Sequence, residues 1–283
     1  MDNKILKQKG EIMIDRAERQ FWAYDVDIKD SKKDVVLLDN VQFIYELSLA
    51  ELELKALGAD FNVTNGLREF KILNKSEELK KLIKKKDSYF RTVNGEYTDY
   101  FHIIQKNQTR SVNQYLTHWI YPYKGKFHPQ MIRALLNIIG LKEGDIVFEP
   151  FSGSGTTALE AQLLGINFIG IDISPLCVMQ GRVKTESIYV LDEILKIKDE
   201  VIPKLVNNLF STETNYYEMI EKLSSDERVR NFYKMARLLA VSDNSRRKRD
   251  FKSSFIKNLH LMITSVKDFI EIQKRLALKL GDV

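Results

Sequence analysis

Residues 145–157, DIVFEPFSGSGTT, decide the fold of this chain. A short apolar run leads to Pro150, a Gly-Ser-Gly turn follows, and residues 158–164 continue with helical spacing as far as a glycine. This pattern predicts a buried parallel strand, a tight loop and the start of a helix. The next apolar run, residues 166–172, predicts a second buried strand that ends in an acid, Asp172.

A glycine loop followed by an acid one strand later is a geometry of nucleoside recognition. Gly153 and Gly155 allow the backbone to approach a ligand, and the free amides at the helix start face the loop. A carboxylate at the end of the next strand can accept both ribose hydroxyls. A G-x-G turn alone often only joins a strand to a helix, so the spacing to Asp172 is what favours a nucleoside cofactor. The loop lacks the third glycine of a dinucleotide fingerprint and the Gly-Lys-Ser/Thr of a phosphate-gripping loop, which disfavours NAD and ATP.

Residues 149–157, EPFSGSGTT, resemble the Asp-Pro-Phe-x-Gly-Ser-Gly-Thr-Thr motif of the amino-group DNA methyltransferases. Just upstream, residues 117–131, THWIYPYKGKFHPQM, resemble the segment that leads into the first cofactor-binding helix of that family. The two motifs occur in the expected order, and the resemblance covers residues 90–190. It implies S-adenosylmethionine as cofactor and double-stranded DNA as partner, with a flipped target base methylated at N6 of adenine or N4 of cytosine.

The resemblance also implies a set of cofactor-binding residues. Lys126 and Phe127 would line the methionine end, and Asp172 would take the ribose hydroxyls. The loop and the helix start would surround the cofactor through Glu149, Phe151, Gly153, Gly155, Thr156 and Thr157. The family usually has Asp where this chain has Glu149, so the carboxylate is one methylene longer. His128 is interpreted as a helix-entry residue and is not proposed as a base.

The second motif of the family is missing from this sequence. That motif is Asp, Asn or Ser followed by Pro-Pro and an aromatic residue, and it holds the target amino group while the aromatic ring stacks on the flipped base. The chain has five prolines, and no two are adjacent. The segment Ile120-Tyr121-Pro122-Tyr123 lacks both the polar residue and the second proline. The catalytic residues therefore stay unknown. We expect a second polypeptide to supply the motif, and the alternative is that the catalytic half has been lost.

The predicted fold is α/β, a partial Rossmann-like fold of S-adenosylmethionine-dependent methyltransferases with a small mixed N-terminal region and a helical C-terminal region. Three regions are expected, at 1–110, 111–190 and 191–283. In the first, residues 35–38 and 41–45 predict two strands, and residues 47–57 and 76–86 predict helices. Residues 90–96 predict a turn. The lysines of 76–86 are interpreted as a solvated face, with phosphate contact as the alternative.

Residues beyond Asp172 are predicted to be almost entirely helical, with helices at 192–210, interrupted near Pro203, and at 216–223, 229–241 and 255–280. Between the last two, Arg246, Arg247, Lys248 and Arg249 are four consecutive cations on a predicted loop. Such a run indicates nucleic-acid contact, although a solvated basic turn is an equal alternative. The net charge of +5 and pI near 9.0 are compatible with a polyanionic partner.

Composition limits the remaining possibilities. The single cysteine, Cys177, excludes an internal disulfide and is interpreted as a small buried hydrophobe, and the four histidines show no spacing typical of a metal site. No stretch suits a signal peptide or a membrane span, so we expect a cytoplasmic protein. Two further functions stay open: an inactive methyltransferase-like subunit that binds DNA or regulates a partner, and an RNA base methyltransferase.

Overall fold

The computed structural model describes residues 34–107, 111–207 and 220–283. The strands are β1 Val35–Leu37, β2 Phe61–Thr64, β3 Glu69–Ile72, β4 Phe90–Val93, β5 Glu96–Tyr97, β6 Ile146–Glu149 and β7 Asn167–Gly170. The α-helices are α1 Ile44–Ala56, α2 Glu77–Lys86, α3 Asp99–Gln105, α4 Pro129–Ile138, α5 Thr156–Leu163, α6 Pro175–Glu186, α7 Leu191–Asn207, α8 Glu227–Arg247 and α9 Phe251–Arg275. Short 3₁₀ turns lie at Val112–Gln114 and Ser187–Tyr189.

The N-terminal region is built on a five-stranded antiparallel sheet with the strand order β2-β3-β1-β4-β5. Its hairpins turn at Asn65-Gly66 and Asn94-Gly95, and all four of these residues have positive φ. Asn-Gly pairs suit such turns because both residues tolerate the left-handed conformation. The predicted turn at 90–96 is therefore the hairpin of β4 and β5.

The predicted strand at 41–45 is wrong, because α1 begins at Ile44. The side chain of Glu46 accepts hydrogen bonds from the backbone N–H groups of Gln42 and Phe43, at 2.9 and 3.0 Å, and this caps the helix start. The predicted strand at 35–38 is confirmed as β1, and the helices predicted at 47–57 and 76–86 are confirmed as α1 and α2.

Polar side chains of α4 join the N-terminal region to the rest of the chain. Arg133 donates to the backbone carbonyl of Asp87 at 2.9 Å, and Gln130 donates to that of Ser88 at 2.9 Å. Asn137 donates to the carboxylate of Glu53 on α1 at 2.7 Å. All three α4 side chains are buried, so these bonds form in a dry interface.

The two predicted strands at the glycine loop are confirmed as β6 and β7, which pair in parallel with Val147 opposite Phe168 and Phe148 opposite Ile169. Val147 and Phe168 pack on residues of α4 and α5, in a small apolar cluster. The prediction that both strands are buried is wrong for the opposite face of the sheet. There Ile146 is 62% exposed, Phe148 58% and Ile169 54%.

The C-terminal tail lies along the outer edge of β7. The backbone N–H of Phe168 donates to the carbonyl of Asp282 at 2.7 Å, and the N–H of Asp282 donates to the side chain of Asn167 at 2.9 Å. Gly281 passes so close to Ile166 that a Cβ at this position would lie 2.0 Å from the Ile166 carbonyl oxygen. The edge of β7 is therefore covered by the chain itself.

The helical C-terminal region is confirmed. The helix α7 runs through Pro203 without the predicted interruption. The helix α8 extends beyond both ends of the helix predicted at 229–241, and α9 begins and ends a few residues before the helix predicted at 255–280. Most of the helix predicted at 216–223 lies outside the described residues. Among the helices of the described ranges, none is both long and apolar enough to cross a membrane.

Candidate cofactor site

The glycine loop joins β6 to α5 in the predicted order of strand, loop and helix. Gly153 and Gly155 both have positive φ, at +50° and +73°, and α5 begins at Thr156. At Gly155 a Cβ would lie 2.7 Å from the Cα of Gly181 on α6, so this position requires glycine for its conformation and for its close contact. The loop is thus held against α6.

Asp172 closes the loop from the end of β7. Its carboxylate accepts hydrogen bonds from the backbone N–H groups of Ser174 and Gly153, both at 2.8 Å. The bonds from Ser174 and from Gly153 favour the charged form, so they hold the pKa of this carboxyl below its ordinary value. Asp172 is therefore ionised at neutral pH.

Seven of the nine predicted cofactor residues line one cavity at the end of β6. They are Lys126, Phe127, Glu149, Phe151, Gly153, Thr156 and Thr157. Tyr123, Gly125, Ser152 and Ser154 also line it. Gly155 and Asp172 do not line this cavity. They hold the loop that forms its wall, Gly155 by packing against α6 and Asp172 by accepting the N–H of Gly153.

Two buried oxygen atoms at the cavity have no hydrogen-bond partner within the described part of the chain. They are Oε2 of Glu149 and Oγ1 of Thr156. The other carboxylate oxygen of Glu149 accepts a hydrogen bond from the hydroxyl of Thr157 at 3.1 Å. Burial raises the pKa of Glu149. Because unsatisfied buried acceptors are costly, these two atoms fit a ligand that brings hydrogen-bond donors, such as the ammonium group of an amino acid.

Lys126 supplies the cation of the cavity. Its Nζ donates to the backbone carbonyl of His118 at 2.8 Å. Burial lowers the pKa of Lys126 to about 8. Among the described residues no carboxylate forms an ion pair with Lys126, so its charge can be directed at a carboxylate brought by a ligand.

Sequence reasoning missed a buried polar cluster behind this wall. Glu160 on α5 accepts a hydrogen bond from the hydroxyl of Tyr115 at 2.5 Å and lies 2.7 Å from Nε2 of His118 and 3.5 Å from Arg133. Burial alone raises the pKa of a carboxyl, but the bond from His118 and the charge of Arg133 outweigh it, so the pKa of Glu160 lies below its ordinary value. The signal was a single acid among the mostly apolar residues 158–164, ALEAQLL.

A separate buried side chain, Lys184, holds the glycine loop from a second side. Lys184 on α6 is fully buried, and its Nζ donates to the backbone carbonyl of Ser154 at 2.6 Å. The hydroxyl of Thr117 donates to the carbonyl of Lys184 at 2.8 Å. The aromatic segment upstream, the loop and α6 are therefore joined by hydrogen bonds between buried residues.

The model of the N6/N4 DNA methylase family matches residues 31–183, which is more than half of the chain. The chain belongs to this family. The match includes the N-terminal sheet, the glycine loop and both strands of the parallel sheet, and it ends within α6. The C-terminal helices and the basic run lie outside it.

Among the curated relatives of this chain, the type II methyltransferase M.BsoBI of Geobacillus stearothermophilus is 34% identical over 139 residues, 43% of this chain and 27% of the relative. The type II methyltransferase M.MjaII of Methanocaldococcus jannaschii is 39% identical over 102 residues, 36% of this chain and 18% of the relative. A tRNA (guanine(10)-N2)-dimethyltransferase of the same organism is 37% identical over 78 residues, 28% of this chain and 22% of the relative. This chain therefore matches less than a third of the length of each. No solved structure matches the chain.

The basic run is only partly a loop. Arg246 and Arg247 form the last turn of α8, Lys248 caps it with positive φ, and Arg249 follows. Asp243 lies 3.2 Å from Arg247 and 4.0 Å from Arg249, so two of the four cations share one acid. The prediction of four cations on a loop is thus corrected, and their contact with nucleic acid stays a prediction.

Proposed function

We propose that this chain is the S-adenosylmethionine-binding half of a DNA methyltransferase that acts on N6 of adenine or N4 of cytosine. The observation that carries the proposal is the cavity at the end of β6. It combines a partly buried cation at Lys126 with unsatisfied oxygens of Glu149 and Thr156. An amino acid carries a carboxylate and an ammonium group, which complement these charges. Family membership and the type II methyltransferase relatives support the same proposal.

The residues of the cavity and of its supporting loop then have distinct tasks. Lys126 binds the cofactor carboxylate, and Glu149 accepts from its ammonium group. Asp172 retains lone pairs for the ribose hydroxyls while it holds Gly153 in place. The bound cofactor supplies an electrophilic methyl group. The residues of this chain bind and orient that cofactor.

The groups that hold the target base would come from a second polypeptide. The chain has no adjacent prolines and so lacks the Pro-Pro-aromatic motif of its family. Without an acceptor for the target amino group, the nitrogen lone pair is not directed at the methyl group. We therefore expect the isolated chain to bind cofactor and to transfer methyl groups only together with its partner. The basic run at the end of α8 is the candidate contact for DNA phosphates.

Calorimetric titration with S-adenosylmethionine tests the proposal. Saturable binding at micromolar strength is expected for the wild-type chain, and Asp172→Ala should abolish or greatly weaken it. The titration is repeated with the co-expressed product of the neighbouring reading frame, and methyl transfer to duplex DNA is then measured. No binding in either titration would refute the proposed cofactor site. Binding without turnover in the presence of every plausible partner would favour a regulatory or DNA-binding subunit.

A second candidate function is methylation of an RNA base. The archaeal tRNA dimethyltransferases among the relatives support it, because they match this chain over 78 and 71 residues. Methyl transfer to duplex DNA and to transfer RNA, measured side by side with the completed enzyme, separates the two functions. We expect turnover on DNA, since the relatives with the longest matches are type II methyltransferases.

A further inference from the structure

We propose that the open face and the free edge of the β6–β7 sheet form the docking site for the polypeptide that carries the catalytic motif. In this arrangement the partner adds a parallel strand beside β6. This inference rests on the proposed function and extends it, since it assigns the residues of this chain that receive the partner.

The open face is apolar along both strands. Ile146 and Phe148 of β6 and Ile169 of β7 point to the same side, because paired residues in register share a face. Ile171 and Ile173 continue the alternation beyond β7 and are 55% and 100% exposed. An apolar row of this kind on a parallel sheet is normally covered, since such sheets are buried on both faces. The exposed row therefore fits an apolar partner surface.

The free edge can only be that of β6. The outer edge of β7 is occupied by the C-terminal tail, whose Asp282 carbonyl accepts from the N–H of Phe168. Within the described ranges, no strand pairs with the other edge of β6. A strand edge with unpaired N–H and C=O groups is a template for another strand. Because the tail occupies the edge of β7, an added strand would pair with β6.

The position of the cavity favours the catalytic polypeptide over a second copy of this chain. Just beyond the carboxyl end of β6, next to the open face, lies Phe151, which is 85% exposed and lines the cavity. A parallel strand beside β6 brings its own carboxyl end to the same rim, where ligands bind in open α/β sheets. A second copy has no Pro-Pro-aromatic motif to place there. A partner that contributes two or more parallel strands joins them by crossover segments, which can cover the open face.

Site-specific photo-crosslinking in the cells that naturally make this chain tests the docking site. A photoreactive amino acid replaces Phe148 in one variant and Ile44 in the control, because Ile44 on α1 is 83% exposed and belongs to neither edge nor face. The Phe148 variant is expected to crosslink to a polypeptide with a Pro-Pro-aromatic motif, at a residue close to that motif, and the control is not. Crosslinks only to this chain, only to proteins without the motif, or to none would overturn the proposal.

A substitution then separates this proposal from the proposed function. With the crosslinked partner co-expressed, Phe148→Asp is expected to weaken the complex by about tenfold or more, whereas Ile44→Asp leaves it unchanged. Because the Phe148 ring is exposed, the isolated variant should fold and bind S-adenosylmethionine as the wild type does. A complex that methylates DNA and is insensitive to Phe148→Asp would overturn the docking site alone. A complex that is lost in Phe148→Asp but never binds cofactor would overturn the proposed function alone.

Discussion

The carboxylate of Asp172 accepts a hydrogen bond from the backbone N–H of Gly153 at 2.8 Å, so the acid at the end of β7 fixes the glycine loop at the end of β6. Its other oxygen accepts from the N–H of Ser174. The residue proposed to bind ribose therefore also orders the loop that is proposed to surround the cofactor. Its replacement is expected to remove the proposed ribose contact and the loop anchor together.

We predict that Asp172→Ala lowers the affinity for S-adenosylmethionine by about ten- to a hundredfold, since bonds from N–H groups to a charged acceptor are lost. Asp172→Asn should lie between the wild type and alanine, because its amide oxygen can still accept one of the two N–H groups. Calorimetric titration measures both. Asp145→Ala is the matched control, because Asp145 also accepts a backbone N–H, from Lys142, at the far end of β6. An equal loss in the control would contradict the prediction.

The two glycines of the loop should respond differently to alanine. Gly155→Ala places a Cβ 2.7 Å from the backbone of Gly181, in a left-handed conformation, and we expect a loss of about 2–4 kcal/mol in the free energy of unfolding. At Gly153 the nearest atom to a Cβ is 3.5 Å away, on the side chain of Tyr123, so Gly153→Ala should cost only about 1 kcal/mol. Urea unfolding of both variants measures the difference. Equal costs would show that the contact with α6 is not important.

Cofactor binding should weaken above pH 8. The pKa of Lys126 is about 8, so in the free protein its ammonium group loses its proton as the pH rises through this value. A carboxylate ligand then binds only with uptake of a proton, which costs up to about tenfold in affinity per pH unit. Titrations between pH 7 and 9.5 measure the effect. The Lys126→Met variant should bind the cofactor weakly at every pH, and its affinity should change little with pH. If its affinity falls with pH as steeply as that of the wild type, a group other than Lys126 is titrating.

The parallel strands and the glycine loop could be predicted from the sequence because their signals are local. An apolar run, two glycines and a helical run follow one another within residues 145–164. The order of strand, loop and helix needs no knowledge of the neighbours. The exposure of Ile146 and Phe148 could not be predicted in this way, because burial depends on which other segments cover the sheet. The apolar pattern of a strand indicates that its faces are to be buried, but it does not identify the segment that buries them.

The strands β2 to β5 and the buried cluster were missed for different reasons. These strands have two to four residues each and mix polar with apolar residues, so they lack the continuous apolar run that predicted β1, β6 and β7. The start of α1 depends on a capping contact of Glu46, which overrides the strand-like composition of residues 41–45. The contacts of Glu160 with Tyr115 and His118 join residues more than 40 positions apart, so no local pattern contains them.

The basic run should contribute to DNA binding through phosphates. We predict that replacing Arg246, Arg247, Lys248 and Arg249 together by alanine weakens the affinity of the completed enzyme for duplex DNA by about tenfold or more. The slope of log affinity against log salt should also become shallower, because fewer counterions are released. The matched control replaces four lysines of α2, Lys80, Lys81, Lys84 and Lys85. If the control alone reduces the salt slope, the phosphate contact lies on α2.

The buried histidine of the Glu160 cluster should make folding sensitive to acid. Burial lowers the pKa of His118 to about 3 from an ordinary value of 6.5, and its Nδ1 has no partner among the described residues. Below pH 6.5 the unfolded chain therefore binds a proton at His118 that the folded chain does not. The free energy of unfolding should fall by up to about 2.5 kcal/mol through this group between pH 6.5 and 4.5.

Glu53 acts in the opposite direction, since burial raises its pKa to about 7 and its contribution becomes more favourable as the pH falls toward 4.5. The prediction is therefore made for the difference between the wild type and His118→Gln, in which the effect of Glu53 cancels. Because glutamine does not titrate, the wild type should lose stability relative to the variant as the pH falls. Urea unfolding at several pH values between 7.5 and 4.5 measures this difference. A difference that does not change with pH would mean that His118 can take up a proton in the folded protein.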